Sequence, residues 1–564
     1  MPSTTILHCD FLVVGSGAGG LSAAVAAAAH GLRVVVAERE PVFGGTTAWS
    51  GGWMWVPCNP LAKRAGIDED VARPREYLQS VLGPHFDAAR VDAFLDAAPR
   101  MVAFFEERTA LQFEGGTTIP DTYGTRPGAG TGGRSVIAAP YDARALGPLV
   151  ARLRKPLRET TLHGLTIQAG PDLRSFMNVT RSPRAFAHVA RRVARHVADL
   201  ALHGRAMQLR NGLALAARLL RSAADLGVDF RSESRATRLV ASDGRVTGAV
   251  LATPQGDVEV RTSRGVVLAS GGFPNDENRI RATFPAPDQH WTLAVPSASG
   301  DGARLAESVG GVFDASLASP GAWCPVSLVP YPDGTTGRFP HIIERGKPGI
   351  VGVLADGRRF CNEGNGYHDY VEAMLRAVPA GQEVASWLVC TREFQRRYGL
   401  GVSRPAPLPV ASFVRSGYLK TGRTIAELAR NCGIDPAGLE ATIAGYNAHA
   451  RRGEDPLFGR GSTVYNRYQG DARVAPNPCV APIERPPFYA VKVVPGSFGT
   501  FAGIRTDAYA RVVNAQGAPI AGLYAVGTDM ASVMGGFYPA GGINLGPAMT
   551  FGYVAGRHAA QDGA

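Results

Sequence analysis

The chain has 564 residues, which is too long for one hydrophobic core, so two or more domains are expected. The net charge is +11, but the arginines are scattered and no basic block interleaves with aromatic residues; this argues against nucleic-acid binding and leaves attraction to anionic surfaces open. Seven cysteines form no CxxC motif and no Cys/His cluster, so we expect no metal site, no redox-active disulfide and a reducing compartment. The first ten residues are too polar for a signal peptide, and no apolar run approaches the ~20 residues of a membrane span, so a cytosolic protein is expected.

Residues 11–38 predict a strand, a tight turn, a helix and a second strand. Gly15 allows the turn, Gly17 lets the backbone approach a pyrophosphate, and Gly20 lets the helix pack close to the strand. The first helical turn, with Ala18 and Gly19, offers N–H groups to the phosphates. Glu38 is placed to accept a hydrogen bond from a ribose hydroxyl. This pattern predicts a dinucleotide site and leaves NAD or FAD open.

The following loop, R-E-P-V-F-G-G-T-T-A-W-S-G-G over 39–52, contains two glycine pairs that bracket hydroxyl side chains. It is either a flexible surface loop or a second backbone pass over a cofactor. The motif resembles the flavoprotein family of fumarate reductases and 3-ketosteroid dehydrogenases, in which this loop lines FAD. The loop contains no His to which flavin could be attached, so the resemblance implies non-covalent FAD. The residues implied are Gly44, Gly45, Thr46, Thr47, Ser50, Gly51 and Gly52.

Amphipathic periodicity predicts helices over 60–110, and 113–135 is a long Gly-rich loop whose one aromatic hydroxyl is Tyr123. A helical insertion is expected over about 140–210. In it, Ser182 and Pro183 begin a helix whose apolar stripe contains Phe186 and Val197. The Arg and His residues between 184 and 196 are interpreted as a solvated basic face on a packed helix. The alternative is contact with a membrane surface.

Strand signals continue from 228 to 273, where a buried strand meets a glycine turn. The family resemblance makes this the return strand of an FAD domain, and 523–527 its closing strand. The composition then changes, which predicts a second domain over 328–486, inserted into an FAD-binding domain of 1–327 and 487–564. Asp301, between glycines at a helix start, could reach the cofactor or be a plain N-cap. The other expected cofactor residues are Ala236, Ser270, Gly271, Gly527, Asp529, Asn544 and Leu545. The fold class is therefore α/β, a Rossmann-like FAD-binding domain of glutathione reductase type with an inserted α+β capping domain.

Two positions divide the family. Fumarate reductases place an Arg four residues after Glu in R-F-x-N-E, and another before L-G at the C-terminal helix start. This chain has Tyr367 and Asn544 there, so both cations for a dicarboxylate are absent. Tyr367 and the segment Y-P-A-G-G-I-N-L-G-P-A-M-T-F-G-Y over 538–553 resemble 3-ketosteroid Δ1-dehydrogenases, although Ala540 and Gly541 replace the Gly-Pro of that motif.

The resemblance implies a role for each residue. The Tyr538 hydroxyl and the Gly542 N–H would hold the C3 carbonyl of the substrate, as in an oxyanion hole. Tyr367 would remove the C2 proton with help from Tyr123, and the C1 hydrogen would leave as hydride to flavin N5. An external acceptor, for instance a quinone, would reoxidise the flavin. The alternatives are a dehydrogenase or ene-reductase for another cyclic ketone, a Δ4-(5α)-type steroid dehydrogenase, and a non-catalytic flavin protein or membrane-associated electron carrier.

Overall fold

The computed structural model describes residues 5–561, and its strands follow the apolar, β-branched runs of the sequence. In chain order the strands are β1 (Thr5–Val14), β2 (Val34–Ala37), β3 (Trp53–Trp55), β4 (Phe113–Gly115), β5 (Ser135–Ala138), β6 (Tyr141–Asp142), β7 (Gln208–Leu209), β8 (Asp229–Arg231), β9 (Arg235–Ser242), β10 (Arg245–Thr253), β11 (Gly256–Leu268), β12 (Trp291–Thr292), β13 (Phe313–Asp314), β14 (Gly321–Pro330), β15 (Thr336–Pro340), β16 (Ile350–Val353), β17 (Ser386–Thr391), β18 (Leu419–Gly422), β19 (Phe488–Thr500), β20 (Gly503–Ile504), β21 (Arg511–Val513) and β22 (Pro519–Ala525).

The helices begin mostly at capping residues or at Pro. In chain order they are α1 (Ala18–Ala29), α2 (Pro60–Arg64), α3 (Ala72–Leu82), α4 (Ala88–Arg108), α5 (Pro171–Met177), α6 (Pro183–His203), α7 (Asn211–Asp225), α8 (Glu277–Thr283), α9 (Asp301–Glu307), α10 (Tyr367–Ala377), α11 (Arg392–Tyr398), α12 (Ala411–Arg415), α13 (Ile425–Cys432), α14 (Pro436–Ala450), α15 (Val464–Gln469) and α16 (Leu545–Gln561). The helices expected over 60–110 are α2, α3 and α4.

The first sheet has eight strands in the order β21-β22-β10-β11-β1-β2-β8, with β9 paired to β10. Strands β1, β2, β8 and the end of β11 run parallel, and their Val- and Leu-rich segments are buried as parallel strands require. Helix α1 crosses α16 at glycines, since a Cβ on Gly552 would lie 2.3 Å from the Gly19 carbonyl oxygen. The N-terminal βαβ unit is thus packed against the last helix of the chain, and the predicted fold class is confirmed.

The second sheet has seven strands in the order β15-β14-β19-β17-β16, with β12 and β18 also paired to β19. The predicted boundaries do not follow it: 328 falls inside β14, and the long strand β19 lies beyond 486. A composition change does not mark these boundaries, because β14 and β19 are as apolar as the strands of the first sheet. We propose a division near 290 and 500, at the ends of the strands of the second sheet.

The insertion over 140–210 is mainly helical, but the orientation of α6 corrects the sequence-based interpretation. Two of its basic residues face the protein: Arg192 and His196 are buried, and Arg192 pairs with Asp172 of α5. Its apolar stripe faces outward instead, with Phe186 60% and Val197 59% exposed. We expected the apolar stripe to pack against the protein and the basic residues to face solvent. This expectation is wrong for Arg192 and His196, which are buried. The cause is the polar surface on which the helix packs, because its buried carboxylates and carbonyl groups need hydrogen-bond donors.

Candidate active site

A cavity of about 1450 Å³ connects the glycine turns of the first sheet to the second sheet and to the insertion. Single small-molecule pockets usually enclose roughly 300–1,000 Å³, so this space is large enough for a cofactor and a substrate together. The predicted residues in its wall are Gly15, Gly17, Ala18, Gly19, Glu38, Gly45, Thr46, Thr47, Ser50, Gly51, Gly52, Ala236, Ser270, Gly271, Asp301, Tyr367, Gly527, Tyr538, Gly542, Asn544 and Leu545.

The turn after β1 has the shape that a dinucleotide phosphate needs. A Cβ on Gly15 would lie 2.2 Å from the Ala269 carbonyl oxygen, so only glycine allows this turn, which has φ +109°. Gly17 is less crowded, since an added Cβ would lie 3.6 Å from its nearest neighbour, the Thr47 hydroxyl oxygen. Gly17, Ala18 and Gly19 line the cavity at the N-terminus of α1, where the Ala18 N–H donates to the Thr47 hydroxyl at 2.9 Å. Phosphate binding at this N-terminus stays a prediction.

Glu38 is held at the end of β2 by the turn that it follows. The Ser16 N–H and hydroxyl both donate to Glu38 Oε2, at 3.1 and 2.6 Å, and the Glu40 N–H donates to Oε1 at 3.1 Å. The carboxylate is buried yet reaches the cavity wall. Ser16 was not anticipated from the sequence, although its position between two motif glycines is a usable signal.

Three predicted cofactor residues lie outside the cavity wall and act on the backbone instead. Gly20 packs α1 against β1, since its Cβ would lie 2.1 Å from the Gly15 carbonyl oxygen. Gly44 has φ +114° and turns the 39–52 loop. Asp529 accepts hydrogen bonds from the Ser270 and Gly272 N–H groups at 2.5 and 2.9 Å, so it fixes the glycine turn after β11. Direct contact of these residues with a cofactor stays a prediction.

Asp301 reaches the wall, but its carboxylate is already occupied. Arg235 donates to both oxygens at 2.9 and 3.0 Å, Arg39 lies 3.1 Å from Oδ2, and Arg304 also pairs with it. Despite burial, these hydrogen bonds and charges lower the pKa of Asp301. Its role is to orient Arg39 and Arg235, two cavity residues that the sequence reasoning missed.

Tyr367 and Tyr538 meet in the cavity wall although their positions in the chain differ by 171. Their ring centroids lie 4.8 Å apart in an edge-to-face arrangement, and both side chains are buried. Burial raises the pKa of both hydroxyls; the interaction between them further raises that of Tyr367 and lowers that of Tyr538. Asn544 Nδ2 donates to the Tyr538 hydroxyl oxygen at 3.2 Å, which leaves the Tyr538 proton free to be donated elsewhere.

Gly542 follows Tyr538 closely and also lies in the wall. Its carbonyl accepts from the Trp55 and Gly546 N–H groups at 3.1 and 2.9 Å, whereas its own N–H meets no acceptor within residues 5–561. Its φ of +99°, and the 2.7 Å that would separate a Cβ from the Trp53 carbonyl oxygen, require glycine. Gly542 therefore has an N–H without a protein acceptor in this range, and it lines the same cavity as Tyr538.

Tyr123 does not form the expected contact with Tyr367. Its hydroxyl donates to Asp369 Oδ1 at 2.8 Å, and Asp369 is two residues beyond Tyr367 at the start of α10. Burial raises the pKa of Asp369, and Tyr123 offsets part of this effect by hydrogen bonding. The expected direct contact between Tyr123 and Tyr367 is therefore not formed, because Tyr123 lies outside the cavity wall and its hydroxyl donates to Asp369 instead.

Tyr77, which the sequence reasoning missed, fixes the loop beside Tyr538. The Tyr77 hydroxyl donates to the Pro539 carbonyl oxygen at 2.6 Å and accepts from the Tyr123 N–H at 3.2 Å. The Thr122 N–H also donates to the Pro539 carbonyl, at 2.8 Å. The Gly-rich loop 113–135 thus positions Tyr538 through the backbone of the next residue. Tyr77 has no local sequence signal, since its partner is 462 residues away.

No group of three or more metal-binding side chains comes together within residues 5–561, and the seven cysteines are all free. In the same range, no helix is long and apolar enough to cross a membrane.

The glycine turn, the buried Glu38 and the large cavity between two sheets define a dinucleotide-binding flavoprotein. The chain belongs to the FAD binding domain family, whose model matches residues 10–545, and it is a FAD-dependent oxidoreductase.

The resemblance to 3-ketosteroid Δ1-dehydrogenases is confirmed at the level of the whole chain. The crystal structure of 3-ketosteroid delta1-dehydrogenase from Sterolibacterium denitrificans in complex with 1,4-androstadiene-3,17-dione has 33% sequence identity and a TM-score of 0.90, covering 98% of this chain and 100% of that one. The 3-oxosteroid 1-dehydrogenase of Mycobacterium tuberculosis is 35% identical, covering 99% of both chains. The 4-oxocyclohex-2-ene-1-carboxylate 5-dehydrogenase of Sinomonas cyclohexanicum is 40% identical, covering 98% of this chain and 94% of the relative.

Proposed function

We propose that the protein oxidises a cyclic ketone at the carbon–carbon bond next to its carbonyl, with a 3-ketosteroid dehydrogenated at C1–C2 as the predicted reaction. The observation that carries the proposal is the convergence of the Tyr538 hydroxyl, the free Gly542 N–H and the Tyr367 hydroxyl on one cavity. Two donors and a candidate base are the groups that enolisation of a ketone requires.

The wall suits FAD, since Gly51 and Gly541 leave open space where side chains would stand, and Glu38 and the N-terminus of α1 offer an acceptor and donors. When bound, FAD accepts the two electrons removed from the substrate. We propose that it is held non-covalently, because the described residues of the wall include no His or Cys.

The chain's own residues prepare the substrate for that oxidation. The Tyr538 hydroxyl and the Gly542 N–H donate to the ketone oxygen and stabilise the negative charge that develops there. Asn544 keeps the Tyr538 proton directed at the substrate by occupying a lone pair of the Tyr538 oxygen. The carbon beside the carbonyl becomes acidic as a result.

Tyr367 accepts the proton from that carbon. It is the first residue of α10, where the helix dipole favours negative charge. Burial opposes this by raising the pKa of Tyr367, so the phenolate is a small fraction at neutral pH. Catalysis that depends on this phenolate becomes faster as the pH rises.

The test is an anaerobic flavin-reduction screen of the purified holoenzyme against 3-oxo-4-ene steroids and monocyclic cyclohexanones. The expected result is flavin bleaching by at least one ketone and loss of most of that rate in Tyr367→Phe, since general-base catalysis contributes roughly 10²–10⁴-fold. Bleaching by none of these ketones would refute the proposal. An unchanged rate in Tyr367→Phe would move the base to another residue.

A monocyclic oxo-acid is the second candidate substrate. It is favoured by the 40% identity to a 4-oxocyclohex-2-ene-1-carboxylate dehydrogenase, against 35% to a steroid enzyme. Comparison of kcat/KM between the two ketone classes separates these candidates. In both cases the electrons pass to an external acceptor, for which a quinone remains our prediction, as does a cytosolic location.

We also propose peripheral contact of α6 with an anionic lipid surface. Phe186, Val197 and Leu200 are exposed together on one helix, and Arg191 and Arg195 are exposed beside them. Co-sedimentation with anionic vesicles is expected and should weaken in Phe186→Ser. Equal binding to zwitterionic vesicles, or none to either, would count against this contact.

A further inference from the structure

One part of the cavity wall, named here the outer wall, carries an excess of positive charge. It is built from α5 of the insertion and from three segments of the second part of the chain, 339–347, 397–404 and 465–473. Its cationic residues are Arg174, Lys347, Arg397, Arg404, Arg467 and Arg473, and its acidic residues are Glu344 and Asp471. An apolar steroid gives no reason for such an excess of positive charge.

Asp471 forms ion pairs with two of these cations. Arg397 lies 2.6 Å and Arg473 3.0 Å from its Oδ2 atom. Glu344 is engaged within its own turn, where its Oε1 atom lies 2.6 Å from His341 Nδ1. The two acids of the outer wall are therefore already paired with other side chains.

Lys347 has no carboxylate partner within residues 5–561. Its ammonium donates to the carbonyl oxygens of Gln469 and Gly470 at 2.7 and 2.8 Å, which uses two of its three protons. Burial lowers its pKa to about 8. The side chain thus presents one unsatisfied donor at the cavity.

The charged groups around Lys347 only partly offset this burial. Asp471 and Glu344 raise its pKa and Arg473 lowers it, whereas the Cys479 thiol, whose own pKa is raised by burial, carries no charge at neutral pH. The ammonium is charged at neutral pH, and within residues 5–561 only the two carbonyl oxygens and these charges compensate it.

Arg404, like Lys347, is a cation that donates to carbonyl oxygens and has no carboxylate partner within residues 5–561. One guanidinium nitrogen donates to the carbonyl oxygens of Glu159 and Thr161, at 2.5 and 3.3 Å, and the group stacks 5.6 Å from the centroid of the Phe339 ring. Burial lowers its pKa, and no carboxylate pairs with it within residues 5–561. Burying a cation among carbonyls alone is unfavourable compared with an ion pair, so the site is one that an anion would complete.

We propose that Lys347 and Arg404 bind a carboxylate carried by the ketone substrate, at the end of the molecule opposite its carbonyl. This inference rests on the proposed function, since it places the ketone at Tyr538 and Gly542. It names the substrate as a cyclic keto acid, and either a monocyclic oxo-acid or a 3-ketosteroid with an acidic side chain has this chemistry. The two differ in the distance between ketone and carboxylate, which the experiment uses.

The test compares each acid with its methyl ester in the holoenzyme, using 4-oxocyclohexanecarboxylate and a 3-oxo-4-ene steroid acid. The variants are Lys347→Met and Arg404→Met, with Lys492→Met as control because Lys492 pairs with Glu383 at the surface. Removing one charge-assisted hydrogen bond should raise KM for the acid by roughly 10- to 100-fold and leave kcat within about threefold. KM for the ester should stay unchanged, and the acid with the stronger effect identifies the length of the substrate.

Calorimetric titration of the holoenzyme with cyclohexanecarboxylate and with the steroid acid supplies a readout that needs no turnover. At least one acid should bind to the wild type and lose affinity in both variants. Acids that bind equally to variants and wild type, or not at all, would overturn the anion site. Failure of every ketone to reduce the flavin while the titration still distinguishes the variants would refute the proposed reaction and keep the anion site.

Discussion

Replacement of Tyr538 by Phe removes one of the two donors proposed for the ketone oxygen and leaves the other, the Gly542 N–H. Loss of one donor from such a pair costs roughly 10²–10³ in rate, or about 2.7–4 kcal/mol of transition-state stabilisation. The ring itself stays packed, since its contacts with Tyr367 at 4.8 Å and Phe501 at 5.9 Å do not need the hydroxyl. The fold should therefore be kept, and Asn544, which lies at the cavity, can turn its freed amide to water.

The assay is the rate constant of flavin reduction, measured by anaerobic stopped-flow absorbance with the best ketone of the screen. Tyr553→Phe is the matched control, because its hydroxyl accepts from Arg557 on α16, outside the cavity wall. Flavin content and thermal midpoint should match the wild type in both variants. A Tyr538→Phe rate within about threefold of the wild type would refute the two-donor arrangement, because a lost donor costs far more than that.

Three further outcomes are expected. Because burial raises the pKa of Tyr367, the ionised fraction and with it the flavin-reduction rate should climb about tenfold per pH unit from pH 7 to 9, and a flat profile would remove the phenolate from the mechanism. Glu38→Gln should weaken FAD retention roughly tenfold in gel filtration, since Ser16 and the cofactor lose a charged acceptor, whereas retention as in wild type would exclude the cofactor contact. If Lys347 binds a carboxylate, KM for the keto acid should rise above pH about 8, where its ammonium loses its proton, and this limb should be absent in Lys347→Met.

Local order explains what the sequence could predict. The strand–turn–helix of residues 11–38 follows from apolar periodicity and from glycines whose roles are decided by neighbours in the same turn. The position of Tyr367 and Tyr538 was predictable through resemblance, because each lies in a short specific motif. Their roles remain predictions that the kinetic experiments above address.

Long-range partners explain what the sequence did not predict. Nothing near Asp301 in the chain indicates that its carboxylate pairs with Arg39, since the two residues are 262 positions apart. The same holds for Tyr123 and Asp369, 246 residues apart. The amphipathic pattern of α6 predicted a helix correctly but not which face lies inward, because that depends on the polarity of the surface beneath it. The extent of the second sheet was missed because β19 lies beyond the boundary at 486 that composition suggested, and β14 crosses the boundary at 328.

The placement of the two central tyrosines on different parts of the molecule has an evolutionary consequence. Tyr367 begins α10, which packs on the second sheet. Tyr538 and Gly542 lie in the segment that leads into α16, which packs with the first sheet. Mutations that alter the charged outer wall can change which molecules are admitted without disturbing the proposed carbonyl-binding donors or the glycine turn. A lineage with this architecture can therefore exchange substrates while it keeps its chemistry, which suits relatives that act on both steroids and single-ring keto acids.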